Sequence, residues 1–323
     1  MRYNRPFFEI NYKNAITQVS PMSAVFLVFF AFMLIKPSLT VFGAQKGLLL
    51  WYQTLLPTLL PYMIFSNLII RSNAIHFLTK LVSPTFCKVF RISENGCFAA
   101  LVGFLCGYPM GAKTIADLIL QNKITKSEGA YLLSFCNNAS PSFIINYLIL
   151  QNFKCEKLLL STLLLLFGTP IFLSFVFRRF YPKDDIQINS KIQDKIKFEF
   201  ISFDQSIMNA FENITKVGGY VILFSILASI LSESRIAFSF RFIIPLLEIT
   251  NAIPYVMNHL KPFTFIYPFL LGCVSFGGIC SIAQTKSMIS KTDLKIGPYI
   301  IQKLITAMAT SLFAFIYIQF IHR

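Results

Sequence analysis

The chain is short of charge. Only 13% of its 323 residues are Asp, Glu, Lys or Arg, whereas a soluble domain carries roughly 25%. It is short of histidine too: His76, His259 and His322 are scattered and show no metal-ligand spacing. The seven cysteines form no C-x-x-C pair. That sets aside a zinc knuckle or redox motif and leaves cysteine its default part as a small apolar filler. There is no Walker motif and no nucleophile–base set, so nothing points to an enzyme and no cofactor is expected. Acidic residues are in the minority, giving a net charge of +15. No DNA or RNA motif accompanies that excess, so nucleic acid is not an expected partner. The basic residues sit in short loops between apolar runs, as in the cytoplasmic loops of membrane proteins.

What the chain has is hydrocarbon: 55% hydrophobic residues, with 36 Phe. Several uncharged runs approach or reach the ~20 residues that cross a bilayer, the clearest being Leu158–Phe177 and then Phe263–Ile282. The expected fold is all-α, a polytopic membrane protein of about eight helices held in a lipid bilayer. A basic stretch over residues 1–18 precedes the apolar run Val19–Ile35. Its charged start and short core fit a secretory signal, but no small-x-small cleavage pattern follows, and a first transmembrane helix is the better reading. Gly47–Ile70 is the second helix, with Pro57 and Pro61 inside it as kinking residues. Asn73–Arg91 is amphipathic and is placed on the membrane surface. Arg178-Arg179 and the lysine-rich stretch to Asp204 form a polar linker. Four parts follow: a tail and first helix over 1–46, a first repeat over 47–180, a linker over 181–204 and a second repeat over 205–323.

The stretch Gly103–Pro141 organises the rest. It begins apolar, breaks at Gly107-Tyr108-Pro109-Met110-Gly111, resumes with Lys113 and Asp117, and breaks again at Asn137-Asn138-Ala139-Ser140-Pro141. Backbone left unpaired at membrane depth is tolerated only inside protein or beside a water-filled cavity. The second half has its own break, Ser275-Phe276-Gly277-Gly278, and Gly103 aligns with Gly272 at an offset of about 169 positions. Counting crossings from an inside amino terminus keeps the basic linker inside if the first interrupted segment enters and returns on one side. The repeats are then inverted, and broken helices meeting near the midplane are the mark of secondary transporters.

The residues at the breaks suggest a chemistry. A half-helix starting near Gly111 presents free N–H groups and a positive dipole end, and Lys113 sits in its first turn. Together they suit a carboxylate or phosphate; the alternative is that Lys113 pairs with Asp117 at i,i+4. Asn137, Asn138, Ser140 and Ser142, with Ser275, Ser281, Gln284 and Ser287 in the second half, mark either a substrate path or helix–helix hydrogen bonds. Gly107, Gly277 and Gly278 permit close backbone approach. Tyr108 offers a ring for stacking or packing. Glu248, between Leu247 and Ile249, is either an ion-coupling carboxylate for a proton or sodium ion, or else one member of a salt bridge or a residue at the membrane interface.

GFLCGYPMGAKTIADL, SEGAYLLSFCNNASPSFI, LLEIT and SFGGICSIAQTKSMI closely resemble the YlbJ-like (SpoVV-type) sporulation integral membrane proteins. These belong to the wider nucleoside-recognition or Gate-domain group, which also includes spore-maturation proteins and the channel part of ferrous iron transporters. The resemblance runs from about Gly47 to the carboxyl end, with one departure: the group leads one to expect a glycine near Asn251-Ala252. It implies a protein of the outer forespore membrane in an endospore-forming bacterium, passing dipicolinate toward the forespore. A homo-oligomer or a sporulation partner protein is compatible with it. Two other readings stand beside this one. A metal permease would use Cys106, Cys136, Cys273 and Cys280, near the breaks; a scaffold for spore-envelope assembly would transport nothing.

Overall fold

The computed structural model describes residues 21–71, 86–181, 200–233 and 244–321, and these contain helix and no strand. In chain order the helices are α1 (Pro21–Ile35), α2 (Pro37–Leu50), α3 (Leu56–Arg71), α4 (Glu94–Cys106), α5 (Met110–Leu120), α6 (Lys126–Cys136), α7 (Phe143–Phe153, wound with π turns), α8 (Leu159–Phe177), α9 (Phe200–Glu233), α10 (Ile244–Leu247), α11 (Ile249–His259), α12 (Phe263–Phe276), α13 (Gly278–Met288) and α14 (Ile296–Ile321). Among the described residues, five runs are long and apolar enough to cross a bilayer: Pro37–Ile70, Glu156–Phe180, Phe203–Ser232, Phe263–Met288 and Ile296–Phe320. The protein is an all-α polytopic membrane protein. The basic tail, most of the expected surface helix over Asn73–Arg91 and the middle of the linker lie outside the described residues.

Small residues let α2 approach α9 closely. Gly43 and Gly47 are four apart and share a helix face. A Cβ at Gly43 would lie 2.7 Å from Ile226 Cα, and one at Gly47 2.8 Å from Ile222 Cα. Further along, the Trp51 indole N–H donates to the Ile214 carbonyl at 2.9 Å, and the Asn67 amide donates to the Ser206 carbonyl at 3.2 Å. Numbers rise on one side as they fall on the other, so the α2–α3 run and α9 are antiparallel.

The first broken pair is a hairpin. Ser93 caps α4 by accepting from Gly96 N–H at 3.0 Å. Beside it, the Asn95 amide donates to the Lys123 carbonyl at 3.0 Å, and Glu128 Oε1 accepts from Ser93 N–H at 2.6 Å. The start of α4, the end of α5 and the start of α6 therefore share one end of the molecule. This end also holds Arg91, Lys126 and Arg178, whose guanidinium donates to the Val89 carbonyl at 3.1 Å; it is called the basic end below. From there α6 enters, breaks after Cys136 and continues as α7 to Phe153, whose ring meets Phe263 at 5.6 Å and Tyr267 at 5.7 Å at the opposite end. α8 returns to the basic end.

The second half uses the same parts. α11 runs from Glu248 to the Phe263 end. α12 starts there and reaches the interior, and α13 carries on to the basic end, where Asp293 in the next turn pairs with Lys126. α14 runs back along α12, with Tyr267 and Tyr317 rings 6.3 Å apart.

This differs from the alignment of Gly103 with Gly272. That alignment sets α4–α5 against α12–α13, yet α4–α5 folds back while α12–α13 crosses. The broken element that crosses in the first half is α6–α7. Direction depends on what each half-helix packs against, and the apolar–break–polar pattern is the same for a hairpin and a crossing. A second point concerns cysteine: the sulfurs of Cys87 and Cys97, ten residues apart in the chain, lie against each other. No motif spacing marks them, and only the fold brings the sulfurs together.

Candidate substrate cavity at the helix breaks

The breaks at Gly107–Pro109 and Asn137–Pro141 lie against each other. Tyr108 N–H donates to the Asn138 carbonyl at 2.6 Å. Gly107 has φ +82°, and a Cβ there would sit 2.6 Å from Ser140 N. Only glycine takes that conformation and that approach together. Across from them, Gly277 also has φ +82°, and a Cβ there would sit 2.5 Å from Ser281 Oγ and 3.2 Å from the Tyr108 ring. The next residue, Gly278, faces the Leu247 carbonyl, where a Cβ would sit at 3.1 Å. Breaks from both halves thus converge on one place.

A cavity of about 260 Å³ opens there. Tyr108, Ser140, Glu248, Gly277, Ser281 and Gln284 line it, all of them singled out in the sequence, with Thr58, Asn146, Tyr147 and Thr250 added by the fold. The Tyr108 hydroxyl is buried and has no hydrogen-bond partner among the described residues. Ser281 Oγ donates to the Gly278 carbonyl at 3.0 Å, and Ser140 Oγ accepts from Phe143 N–H at 3.2 Å, capping α7.

Glu248 is only 3% exposed. It is the N-cap of α11: Oε1 accepts from Thr250 N–H at 3.0 Å, and Oε2 accepts from Asn251 N–H at 2.8 Å and from the Thr250 hydroxyl at 2.5 Å. The Asn251 side-chain amide bridges Glu248 Oε2 at 2.9 Å and Ser225 Oγ at 2.8 Å. Asn251 therefore ties the carboxylate to α9. No ion pair to Glu248 forms among the described residues, and neutral donors hold it instead.

Ser142, Cys106 and Cys280, also marked in the sequence, line this cavity too, while the residues that follow lie outside it. Asn137 is fully buried. Its Oδ1 accepts from Ala112 N–H at 3.3 Å, an orphan donor in the first turn of α5, and its amide donates to Thr285 Oγ1 at 3.0 Å and to the Tyr299 hydroxyl at 2.8 Å. Gly111 packs on the Cys136 carbonyl. Lys113 is off the central cavity altogether. It pairs with Asp117 at 2.5 Å and lines a second cavity near the basic end. Cys106 and Cys280 face the central cavity, but among the described residues no group of three His, Cys, Asp or Glu is placed to hold a metal.

Lys303 of α14 was missed by the sequence reasoning. It is 2% exposed, and its ammonium donates to Asn138 Oδ1 at 2.9 Å and to the Ser275 carbonyl at 3.1 Å. Ser275 Oγ accepts in turn from Thr310 at 3.2 Å. Asn138 and Ser275 are thus held from behind, one lysine bridging the break of α6–α7 and the last turn of α12. A cation suits that second position, the negative end of a helix dipole. The signal was a lone Lys in an otherwise uncharged final helix.

The chain is 25% identical to the sporulation integral membrane protein YlbJ of Bacillus subtilis over 334 aligned positions, covering 90% of this chain and 81% of that protein. Over that length the chain is similar to YlbJ. The match takes in both halves and so all the breaks described above. No protein-family model matches the chain, and no solved structure matches it.

Proposed function

We propose that this YlbJ-like protein is a sporulation transporter that moves a small organic anion of the dipicolinate kind across the outer forespore membrane. The observation that carries the reading is that breaks from both halves of the chain meet on one cavity inside a helical bundle, mainly apolar in its lining but carrying hydroxyls, amides and the Glu248 carboxylate. A scaffold has no use for interrupted helices at that depth, where each free backbone group must find a partner. Hydroxyls, amides and the Tyr108 ring suit a flat, carboxylated molecule. The sporulation character of the Bacillus subtilis relative supports the physiological setting. The clustering of Arg91, Lys126 and Arg178 at one end orients that end toward the cytoplasm.

The charge of the cavity adds a condition. Among the described residues its lining carries Glu248 and no Lys or Arg. A dianion entering beside a carboxylate at low dielectric is repelled. It must be accompanied by cations, and Glu248 is the group on which a proton or sodium ion acts. The reading is tested by dipicolinate uptake into vesicles holding the purified protein. Saturable uptake driven by an imposed proton or sodium gradient is expected. Glu248→Gln should uncouple uptake from that gradient. A folded wild type that moves no dipicolinate under any gradient overturns the reading.

A further inference from the structure

Lys113 belongs to a different site from the one the sequence suggested. The second cavity, about 180 Å³, lies near the basic end between α3, α5, α9 and the turn after α13. Three lysines from three separate parts of the chain reach it: Lys113 on α5, Lys216 on α9 and Lys291 in the turn. Two carboxylates accompany them. Lys113 holds Asp117, and Lys216 holds Glu212 at 2.6 Å, each at i,i+4. Lys291 is bonded to no carboxylate among the described residues. Asn67, Asn209 and Ser287 complete a polar wall.

The same helix faces line both cavities. On α13 the stripe Gly277, Ser281, Gln284 of the central cavity continues as Ser287 and Met288 in the second. On α9, Val221 and Val217 face the central cavity and Lys216, Asn213 and Asn209 the other. On α3, Leu59 faces the first and Asn67 the second, with the buried Met63 one turn from each. Beside Met63 the Ser66 and Thr114 hydroxyls meet at 3.5 Å. The two cavities are in series, separated by about one helical turn of packed side chains.

We propose that the three-lysine cavity is a recruitment site for the transported class of molecule, a small dicarboxylate, before it passes to the central cavity. Among the described residues no Lys or Arg lines the central cavity, whereas three lysines line this one. Asp117 and Glu212 occupy two of the lysines at rest, and an incoming carboxylate exchanges with them. The inference rests on the transport reading for the second step but not for binding.

Equilibrium dialysis of dipicolinate against the purified full chain, run beside vesicle uptake, tests it. The triple variant Lys113→Gln, Lys216→Gln, Lys291→Gln should weaken binding and raise KM about ten- to hundredfold, taking each lysine at about a two- to fivefold effect, with kcat unchanged. Asp117→Asn, which removes a competing carboxylate, should lower KM. A role confined to helix stability would not tighten binding. The wild-type KM should rise with salt and that of the triple variant should not. The Lys→Arg triple variant keeps the charge and should keep the KM. Uptake with the same KM in wild type and triple variant overturns the recruitment site and leaves the transport reading standing. Binding lost in the triple variant without uptake by the wild type does the reverse. Neither binding nor uptake by folded wild type overturns both.

Discussion

Replacing Asn137 by Ala tests how the breaks are held. Asn137 is fully buried and makes three hydrogen bonds, to Ala112 N–H, Thr285 Oγ1 and the Tyr299 hydroxyl. Each is worth about 0.6–1.5 kcal/mol net, the lower figure being the average inside membranes. Alanine also strands the Ala112 N–H, which has no acceptor within its own helix. The summed cost is about 2–4 kcal/mol. Denaturant titration of the detergent-solubilised protein measures it. A double-mutant cycle with Thr285→Val should return a coupling of about 0.5–1.5 kcal/mol. A cost under about 0.5 kcal/mol, or no coupling, would show that Asn137 does not join α5, α13 and α14, and the account of the breaks as rigidly stitched would fall.

Further outcomes follow from the packing. Gly277→Ala should cost about 1–2 kcal/mol for its left-handed backbone alone, and should impair uptake further by pressing on Tyr108; unchanged stability and uptake would contradict the geometry at that break. Gly43→Leu puts a side chain where Ile226 Cα already lies within 2.7 Å of a Cβ, and should destabilise by about 1–3 kcal/mol, read in the same titration. Lys303→Met should cost about 2–4 kcal/mol by stranding Asn138 Oδ1 and the Ser275 carbonyl, and equal stability to wild type would remove Lys303 from its bridging role. At the basic end, Lys126 beside Asp293 holds that carboxyl below its ordinary value. A lowered folded-state value means that the pair stabilises above the unfolded Asp pKa and is lost as pH falls through the lowered one. The difference in melting temperature between wild type and Lys126→Ala should therefore vanish in acid and shrink in salt.

The sequence alone determined the class of molecule and the positions of the breaks. Uncharged runs of membrane length permit little else, and Gly107, Gly277 and Glu248 stand out because glycine and carboxylate are costly inside apolar helices. The same local pattern carried the marked residues that line the central cavity. Direction, distance and pairing belong to the tertiary structure. Whether α4–α5 turns back or crosses depends on Asn95 and Glu128 reaching Lys123 and Ser93, contacts between residues 28 and 35 positions apart. Lys113 left the central site because an i,i+4 partner and a second cavity lie on its own face of α5. Lys303 is bound to Asn138, 165 positions away, and no local pattern encodes that partner. Local chemistry sets where a membrane helix must break; only long-range packing decides which breaks share a cavity.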